Sequence, residues 1–168
     1  MVDKTDWTSF RKRIFINKPV EEIYSAWATQ SKIEQWFLEK AIYTSPEGKE
    51  RKSDEPIEKG DSFTWKWNNW DIEEKGNIID ANGKDSLSFT FGTGGFVYIK
   101  LKSTDKGIEV LLVQDGIPVD ERSKHDIFVG CSTGWTFWLA NLKAWLEHGI
   151  TLHEKGLKQE DTADLVNS

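Results

Sequence analysis

The sequence predicts an α+β fold in which a curved antiparallel sheet wraps around a long C-terminal helix. Three observations support this fold class. Period-two alternation fills the stretch from Glu39 to Asp115, the longest helical pattern runs from about Lys124 to His148, and two short helical patterns follow the first strand. Elements in this order bury their apolar residues when helices cover one face of an antiparallel sheet. The 168 residues fit a single domain.

The first elements are a strand and two short helices. The strand pattern covers Phe10 to Asn17 and stops at Pro19, whose fixed φ suits the start of a helix. Apolar residues then recur at positions i, i+3, i+4 and i+7 over 20–27, which predicts a short amphipathic helix. Ser31 followed by Glu34 resembles a capping box and predicts a second short helix.

Alternation between apolar and polar residues predicts a meander of strands in the middle of the chain. The polar stretch from Ser45 to Gly60 has no clear periodicity, and we expect it to be a mobile loop. Asn82 and Gly83 are a strong hairpin signal between two of the strands. The strands of the meander are expected around 41–44, 63–67, 70–79, 87–91, 97–102 and 108–114.

The C-terminal third contains the longest helical pattern. At about 100° per residue, one half of this helix carries Trp135, Trp138 and Trp145 together with leucines. The helix is therefore expected to be buried along one side, and the sheet is the partner large enough to cover it. We expect one domain at 8–150, followed by a polar C-terminal tail at 151–168 that frays.

Composition excludes several classes of function. The 22 basic and 28 acidic residues leave a net charge of −6, which repels phosphate, so neither nucleic acid nor an anionic membrane surface is an expected partner. No apolar run is long enough to insert into a membrane, and no secretory signal is visible. We therefore expect a cytoplasmic protein, and its one cysteine excludes an internal disulfide.

Four motifs, in order along the chain, resemble a known family. They are the segment INKPVEEIY at 16–24, the Trp36-Phe37 pair, Gly60-Asp61 before a strand, and Gly134-Trp135 before a leucine-rich helical segment ending in Glu147. Together they resemble the domain homologous to the activator of the ninety-kilodalton heat-shock protein ATPase. This family belongs to the helix-grip (SRPBCC) superfamily of START lipid-transfer domains, pollen allergens and polyketide cyclases. The resemblance covers about 10–149.

The resemblance implies a helix-grip fold, with a curved sheet of about seven strands around the C-terminal helix and a hydrophobic cavity between them. It also implies a lipid-like or otherwise hydrophobic ligand and, through the family name, a role in stress response. It implies no catalytic residue, because the family has no shared catalytic motif.

Aromatic residues dominate the candidate ligand site. The chain has nine Trp and nine Phe, and this aromatic volume must fill a core or line a cavity. A solid core is the usual outcome, since protein interiors pack densely. Small residues at Gly130 and Gly134, beside two tryptophans, favour a cavity. The candidate ligand-binding residues are Trp65, Trp67, Phe89, Phe91, Gln114, Cys131, Gly134, Trp135, Trp138 and Asn141.

The polar candidates have two interpretations each. Gln114 is in phase with the apolar face of the last strand, so it contacts either a ligand or the local backbone. Asn141 has the same two interpretations.

Cys131 is expected to be an inert core thiol. Pairs such as Glu73-Glu74 are interpreted as solvated charges. The three histidines are not spaced for a metal site, and no cofactor is predicted.

Three functions compete at this point. The first is non-enzymatic binding of a small hydrophobic molecule, with the loop from Ser45 to Gly60 as a gate. The second is a protein interaction module that docks on a chaperone and stimulates its ATPase. The third is a polyketide-cyclase-like enzyme, although no acid or base is identified for it. An exposed sheet edge also leaves a homodimer open.

Overall fold

The structure is a computed structural model and describes residues 5–168. Its seven strands are β1 (Phe10–Ile16), β2 (Lys40–Thr44), β3 (Ser62–Lys66), β4 (Glu73–Ala81), β5 (Ser86–Thr90), β6 (Phe96–Thr104) and β7 (Gly107–Asp115). Its helices are α1 (Val20–Ala28), α2 (Gln30–Trp36), α3 (Glu121–Ser123) and α4 (Gly130–His148), with a π-helical segment at Lys124–Val129 and 3-10 turns at Gly92–Gly94 and Gln159–Thr162.

All seven strands form one antiparallel sheet in the order β1-β7-β6-β5-β4-β3-β2. Strands β2 to β7 are a meander in which each strand pairs with the next along the chain. The first strand joins the far edge, where Phe10 pairs with Gln114 and Ile16 with Ile108. Helices α1 and α2 therefore carry the chain from one edge of the sheet to the other. The predicted α+β fold with two short helices after the first strand is confirmed.

The core lies between one face of the sheet and the helices. Trp65 in β3, Phe89 in β5 and Leu112 in β7 are all buried, as are Trp135 and Leu142 on α4. The opposite face of the sheet is wet, since alternate residues of β6 are exposed. Helix α4 contacts β1 and α2, so the helix lies over the sheet as the wheel of apolar residues predicts.

Two side chains fix the C-terminal half of α4 to the end of β1. The Lys143 ammonium donates to the Phe15 carbonyl at 2.6 Å and to the Glu147 carboxylate at 2.7 Å. Glu147 also accepts from the backbone amide of Asn17 at 2.6 Å. The helix then ends at Gly149, whose φ of +67° is the left-handed conformation that glycine adopts most easily.

The capping-box prediction for the second helix is wrong. Helix α2 begins one residue before Ser31, and its N-cap Thr29 makes no side-chain capping bond. Glu34 instead accepts hydrogen bonds from the Ala41 amide at 2.8 Å and from Gln30 at 3.1 Å. The carboxylate thus connects α2 to β2, a contact that no local sequence rule anticipates.

The loop between β2 and β3 is anchored by a buried ion pair. Arg51 donates from Nη2 to the Asp61 carboxylate at 2.9 Å and from Nη1 to Glu55 at 2.9 Å. Asp61 is fully buried, and Ile57 is also in the core. The expectation of a mobile loop is therefore wrong, because this segment has its own charged and apolar anchors.

The residues after α4 return to the body of the protein. His153 is buried and lies 3.1 Å from the Asn141 amide. Asn69 donates to the Glu154 carbonyl at 2.8 Å and accepts from the Leu157 amide at 3.0 Å. Contrary to the expected fraying, these residues are attached to the domain by several hydrogen bonds. The division into a domain at 8–150 and a tail at 151–168 stays a prediction.

A glycine in β4 allows the sheet to pack tightly. A Cβ at Gly76 would lie 2.4 Å from both the Phe63 ring and the Thr90 hydroxyl. We expect Gly76→Ala to lower the free energy of unfolding by about 1–3 kcal/mol, because the Phe63 ring must leave its packed position. Urea denaturation measures this loss. Gly130→Ala is the control, since a Cβ there meets nothing within 4 Å and its φ of −60° is open to alanine. A loss of the same size in both variants would contradict the packing argument.

Candidate functional site

A cavity of about 210 Å³ lies between the start of α4 and the part of the sheet where β3 and β5 end. Aromatic rings line the sheet side. On the helix side, Gly130 and Gly134 have no side chains, which leaves room. The residues that line it are Phe37, Trp67, Phe91, Asp126, Gly130, Cys131, Gly134, Trp135 and Trp138. Six of the ten predicted ligand-binding residues line the cavity: Trp67, Phe91, Cys131, Gly134, Trp135 and Trp138.

Phe37 organises the aromatic wall. Its ring lies edge-on to Trp67 at 4.9 Å and to Trp138 at 5.2 Å, and it stacks on Trp135 at 5.2 Å. Phe91 lies 5.4 Å from Trp135 on the same wall. These spacings are within the 4.5–7 Å of favourable aromatic pairs. The wall is therefore preformed by mutual ring packing.

Gly130 and Gly134 leave the helix side of the cavity open. A Cβ built at either position would meet nothing within 4 Å, apart from the backbone of its own helix. A glycine inside a helix costs roughly 0.5–1 kcal/mol relative to alanine. Two such glycines, both facing one void, keep that side of α4 free of side-chain volume.

A π-helical segment shapes the entrance to the cavity. Six residues, Lys124–Val129, form a π-helix directly before Gly130, and irregularities of this kind are frequent at functional sites. The segment places Asp126 at the cavity, where the carboxylate bonds to His125 at 2.9 Å and to Arg122 at 3.2 Å. The hydrogen bond with His125 has the larger effect and the one with Arg122 the smaller. Both lower the pKa of Asp126 and keep its carboxylate charged.

Cys131 lines the cavity with a protonated thiol. Burial raises its pKa, a hydrogen bond with Gln114 opposes this, and the nearby charge of Glu74 raises the pKa further. Thiol reactivity requires the thiolate. The cysteine is half-buried in the cavity wall and is not a residue of the solid core; its inertness stays a prediction.

Gln114 holds the wall together from behind. It is fully buried, its Nε2 donates to the Gly94 carbonyl at 2.9 Å, and its Oε1 accepts from the Trp135 indole at 2.9 Å. Both ends of the amide are therefore used inside the protein. The second of its two interpretations, bonding to local groups, describes this arrangement, and a ligand contact by Gln114 stays a prediction.

Asn141 also bonds within the protein. Its Nδ2 donates to the Trp36 carbonyl and lies 3.1 Å from His153, and its Oδ1 accepts from the Leu152 amide at 2.6 Å. The residue lies two turns beyond Gly134 and does not line the cavity. Asn141 therefore joins α2, α4 and the returning C-terminal segment.

Two other predicted residues form the layer beneath the wall. Trp65 stacks on Phe63 at 4.1 Å and donates its indole N–H to the Tyr43 hydroxyl at 3.2 Å. Phe89 lies edge-on to Trp65 at 5.1 Å. Both are buried. They support Trp67 and Phe91, which lie just after the ends of β3 and β5 and line the cavity.

A second cleft, of about 360 Å³, adjoins the first and shares two of its tryptophans. We call it the Glu74 cleft. It is lined by Trp67, Asn68, Trp70, Ile72, Glu74, Trp138 and Ser168.

Glu74 is not the solvated charge that the sequence suggests. It lies on the inner side of β4, in phase with buried Ile78, and its Oε1 is buried without a hydrogen-bond partner among the described residues. Burial raises the pKa of this carboxyl, and the Gly92 amide partly offsets the increase. The phase with Ile78 is the sequence signal that could have identified its direction.

Sequence reasoning also missed Phe37 and Asn68. Phe37 is the C-cap of α2 and lines the cavity. Asn68 follows β3, is buried, and its Nδ2 finds no partner within residues 5–168. Neither position follows a periodic pattern, so no local signal identifies it.

The proposed gate does not reach the site. The residues that line the cavity and the Glu74 cleft include none from the loop between Ser45 and Gly60. That loop packs on α1 instead, where Ile57 donates its amide to the Ala28 carbonyl at 2.8 Å. The gating prediction is therefore wrong.

The structure also speaks to metal sites and to membrane-spanning helices. In the part of the chain that the structure describes, no three His, Cys, Asp or Glu side chains are arranged to hold a metal ion. Across residues 5–168, no helix combines the length and apolarity needed to span a bilayer.

Comparison with protein families gives one match. The family described as "Activator of Hsp90 ATPase homolog 1-like protein" matches residues 17–147. A search of curated proteins found no match.

Solved structures share the fold at low sequence identity. A crystal structure of a Staphylococcus saprophyticus protein is 21% identical, has a TM-score of 0.69, and covers 89% of this chain and 98% of its own. The solution structure of the Aha1 dimer from Colwellia psychrerythraea is 16% identical, with a TM-score of 0.66 and coverage of 84% and 97%. DynU16, a putative protein in the dynemicin biosynthetic locus, is 17% identical, with a TM-score of 0.66 and coverage of 86% and 49%.

Proposed function

The chain belongs to the family described as Activator of Hsp90 ATPase homolog 1-like protein, and from this premise we propose that it binds a small apolar or aromatic molecule between α4 and the sheet. The observation that carries the proposal is the void beside Gly130 and Gly134. A chain that needed only a packed core would gain stability from a side chain there.

The size of the cavity indicates the size of the ligand. An apolar cavity of about 150 Å³ accommodates benzene, and pockets for drug-sized molecules begin at about 300 Å³. At about 210 Å³, the cavity suits a ligand body of one or two rings. Trp67, Phe91, Trp135 and Trp138 are the proposed contacts. Trp65 and Phe89 are proposed to set the position of these rings.

Filling the void tests the proposal. We expect Gly134→Leu to weaken binding of the neutral two-ring probe 1-naphthylmethanol at least tenfold, because the leucine occupies the space that the ligand needs. Fluorescence titration measures the affinity. The variant should fold, since a Cβ at this position meets nothing within 4 Å, and thermal unfolding checks this.

Two further variants complete the test. Ala140→Leu adds the same side chain on an exposed position of α4, so it should leave the affinity unchanged. Gly134→Ala should raise the free energy of unfolding by about 0.5–1 kcal/mol while weakening binding less than leucine does. Equal affinity in the wild type and in Gly134→Leu would contradict the proposal.

A cyclase-like enzyme is the second candidate, and Glu74 favours it. Such an enzyme needs a titrating group beside the ligand, and this carboxyl is half-buried with a raised pKa. Mass spectrometry of the molecule recovered after incubation distinguishes the two functions, because a binding protein returns its ligand unchanged.

Five other expectations stay predictions: a chaperone partner, a homodimer, a lipid ligand, a role in stress response and a cytoplasmic location.

A further inference from the structure

We propose that the Glu74 cleft binds the protonated amine of a ligand whose aromatic or alicyclic body lies in the adjoining cavity. This inference rests on the proposed function and names the chemical class of its ligand. Four features of the described residues support it: an unpartnered carboxylate oxygen, a tryptophan surface, the absence of cationic side chains and an unpartnered amide.

The carboxylate is placed to accept a hydrogen bond from a ligand. Glu74 lies on the inner side of β4 and lines the cleft, and its Oε1 has no partner within residues 5–168. It takes part in none of the salt bridges found among those residues. A buried oxygen without a partner is costly unless a donor occupies the site, and an ammonium group supplies both a donor and an opposite charge.

Three tryptophans border the cleft. Trp67, Trp70 and Trp138 all line the cleft and are half-buried. The electron-rich face of an indole attracts organic cations more strongly than the face of any other aromatic side chain does. A carboxylate beside several such rings is a combination that favours an amine over a neutral group of the same shape.

The charges around the two spaces have one sign. Glu74 lines the cleft and Asp126 lines the cavity, whereas no Lys, Arg or His side chain lines either of them in the described chain. Asp126 forms an ion pair with Arg122 at 3.2 Å, so its charge is compensated and Glu74 is the acidic side chain that faces a ligand. An anionic ligand would therefore be repelled by Glu74, while a cation is attracted to it.

The two spaces suit the two parts of one ligand. Trp67 and Trp138 line both the cavity and the cleft. A ligand whose ring body occupies the cavity can therefore place an amine, one or two bonds from the ring, in the cleft on the other side of these indoles. Asn68 adds a buried Nδ2 without a partner to the cleft. This donor suits an oxygen on the ligand close to the amine.

A matched pair of ligands tests the inference. 1-Naphthylmethylamine is protonated near neutral pH, and 1-naphthylmethanol has the same ring body without the charge. We expect the amine to bind about tenfold more tightly in calorimetric titrations. We expect Glu74→Gln to remove that preference and to leave the affinity for the alcohol within twofold. The indole N–H signals of Trp67 and Trp138 in NMR spectra should shift with either ligand.

The neighbouring residue provides the control. Glu73→Gln makes the same change of charge on the exposed side of β4, so it should retain the tenfold preference. Equal affinity for amine and alcohol, or a preference that survives Glu74→Gln, would overturn the inference while the proposed function stands. Failure of both ligands to bind would overturn both.

Discussion

Replacing Arg51 with methionine should lower the free energy of unfolding by about 3–5 kcal/mol, the expected loss when one partner of a buried ion pair is removed. Asp61 is fully buried and accepts two hydrogen bonds from the guanidinium. It also accepts from the Glu58 amide at 2.9 Å. Without Arg51, the carboxylate keeps one backbone donor and no neutralising charge. Urea denaturation at neutral pH measures the loss.

Two variants show whether burial is the cause. Arg13 forms a salt bridge with Glu109 at 3.4 Å, but its side chain is 60% exposed, so Arg13→Met should cost less than about 1 kcal/mol. Adding Asp61→Asn to Arg51→Met should recover part of the stability, because it removes the buried charge. A loss below about 1 kcal/mol in Arg51→Met would show that water reaches Asp61.

The stability of the protein should fall between pH 7 and pH 4.5 by an amount that depends on His153. Burial, with a smaller effect of Lys155, lowers the pKa of this imidazole to about 4. The unfolded chain, with a pKa near 6.5, therefore binds more protons across this range. Stability is full above about pH 6.5 and decreases as the pH falls toward 4, by about 2 kcal/mol.

The contacts of His153 explain why the neutral form is favoured. Asn141 uses its Nδ2 toward the His153 Nδ1 at 3.1 Å, so this nitrogen accepts a hydrogen bond. Its other nitrogen, Nε2, finds no partner within residues 5–168. Protonation would place an N–H against the Asn141 Nδ2 donor and a charge in the interior, away from water. The expected result is release of the C-terminal segment before the sheet unfolds.

Comparison of variants isolates this histidine from other titrating groups. The difference in unfolding free energy between pH 7 and pH 4.5 should be about 2 kcal/mol smaller in His153→Gln than in the wild type. His148→Gln changes a histidine whose side chain is 65% exposed, so it should keep the wild-type difference. Parallel pH profiles for wild type and His153→Gln would contradict the prediction.

The architecture was largely predictable because it follows from local periodicity. Alternation identified the strands from β2 to β7, and helical spacing identified α1 and α4, since a half-buried strand or helix repeats its apolar residues at a fixed interval. The family resemblance added the curved sheet of about seven strands around the C-terminal helix, and the pairing of β1 with β7 came from the structure. Periodicity did not identify the π-helical segment, because its apolar residues continue the helical pattern.

The candidate site was predictable only in its apolar half. Trp67, Phe91, Trp135 and Trp138 follow the same periodic patterns as the core, so the sequence placed them on the inner face, and structure shows them around a void. Glu74 was in phase with Ile78 and was nevertheless interpreted as a surface charge, because carboxylates usually are. Phe37 and Asn68 lie where elements end, so no period predicts their direction.

The sequence by itself determined which faces of the strands and helices are apolar, since that depends on neighbours within a few residues. Only the tertiary structure decided that Gln114 and Asn141 bond within the protein, that Arg51 and Asp61 anchor a loop, and that Glu74 lines a cleft beside the cavity. These outcomes depend on distance in space between residues far apart in the chain. A polar group's partner is set by what the fold brings near it, and composition does not contain that information.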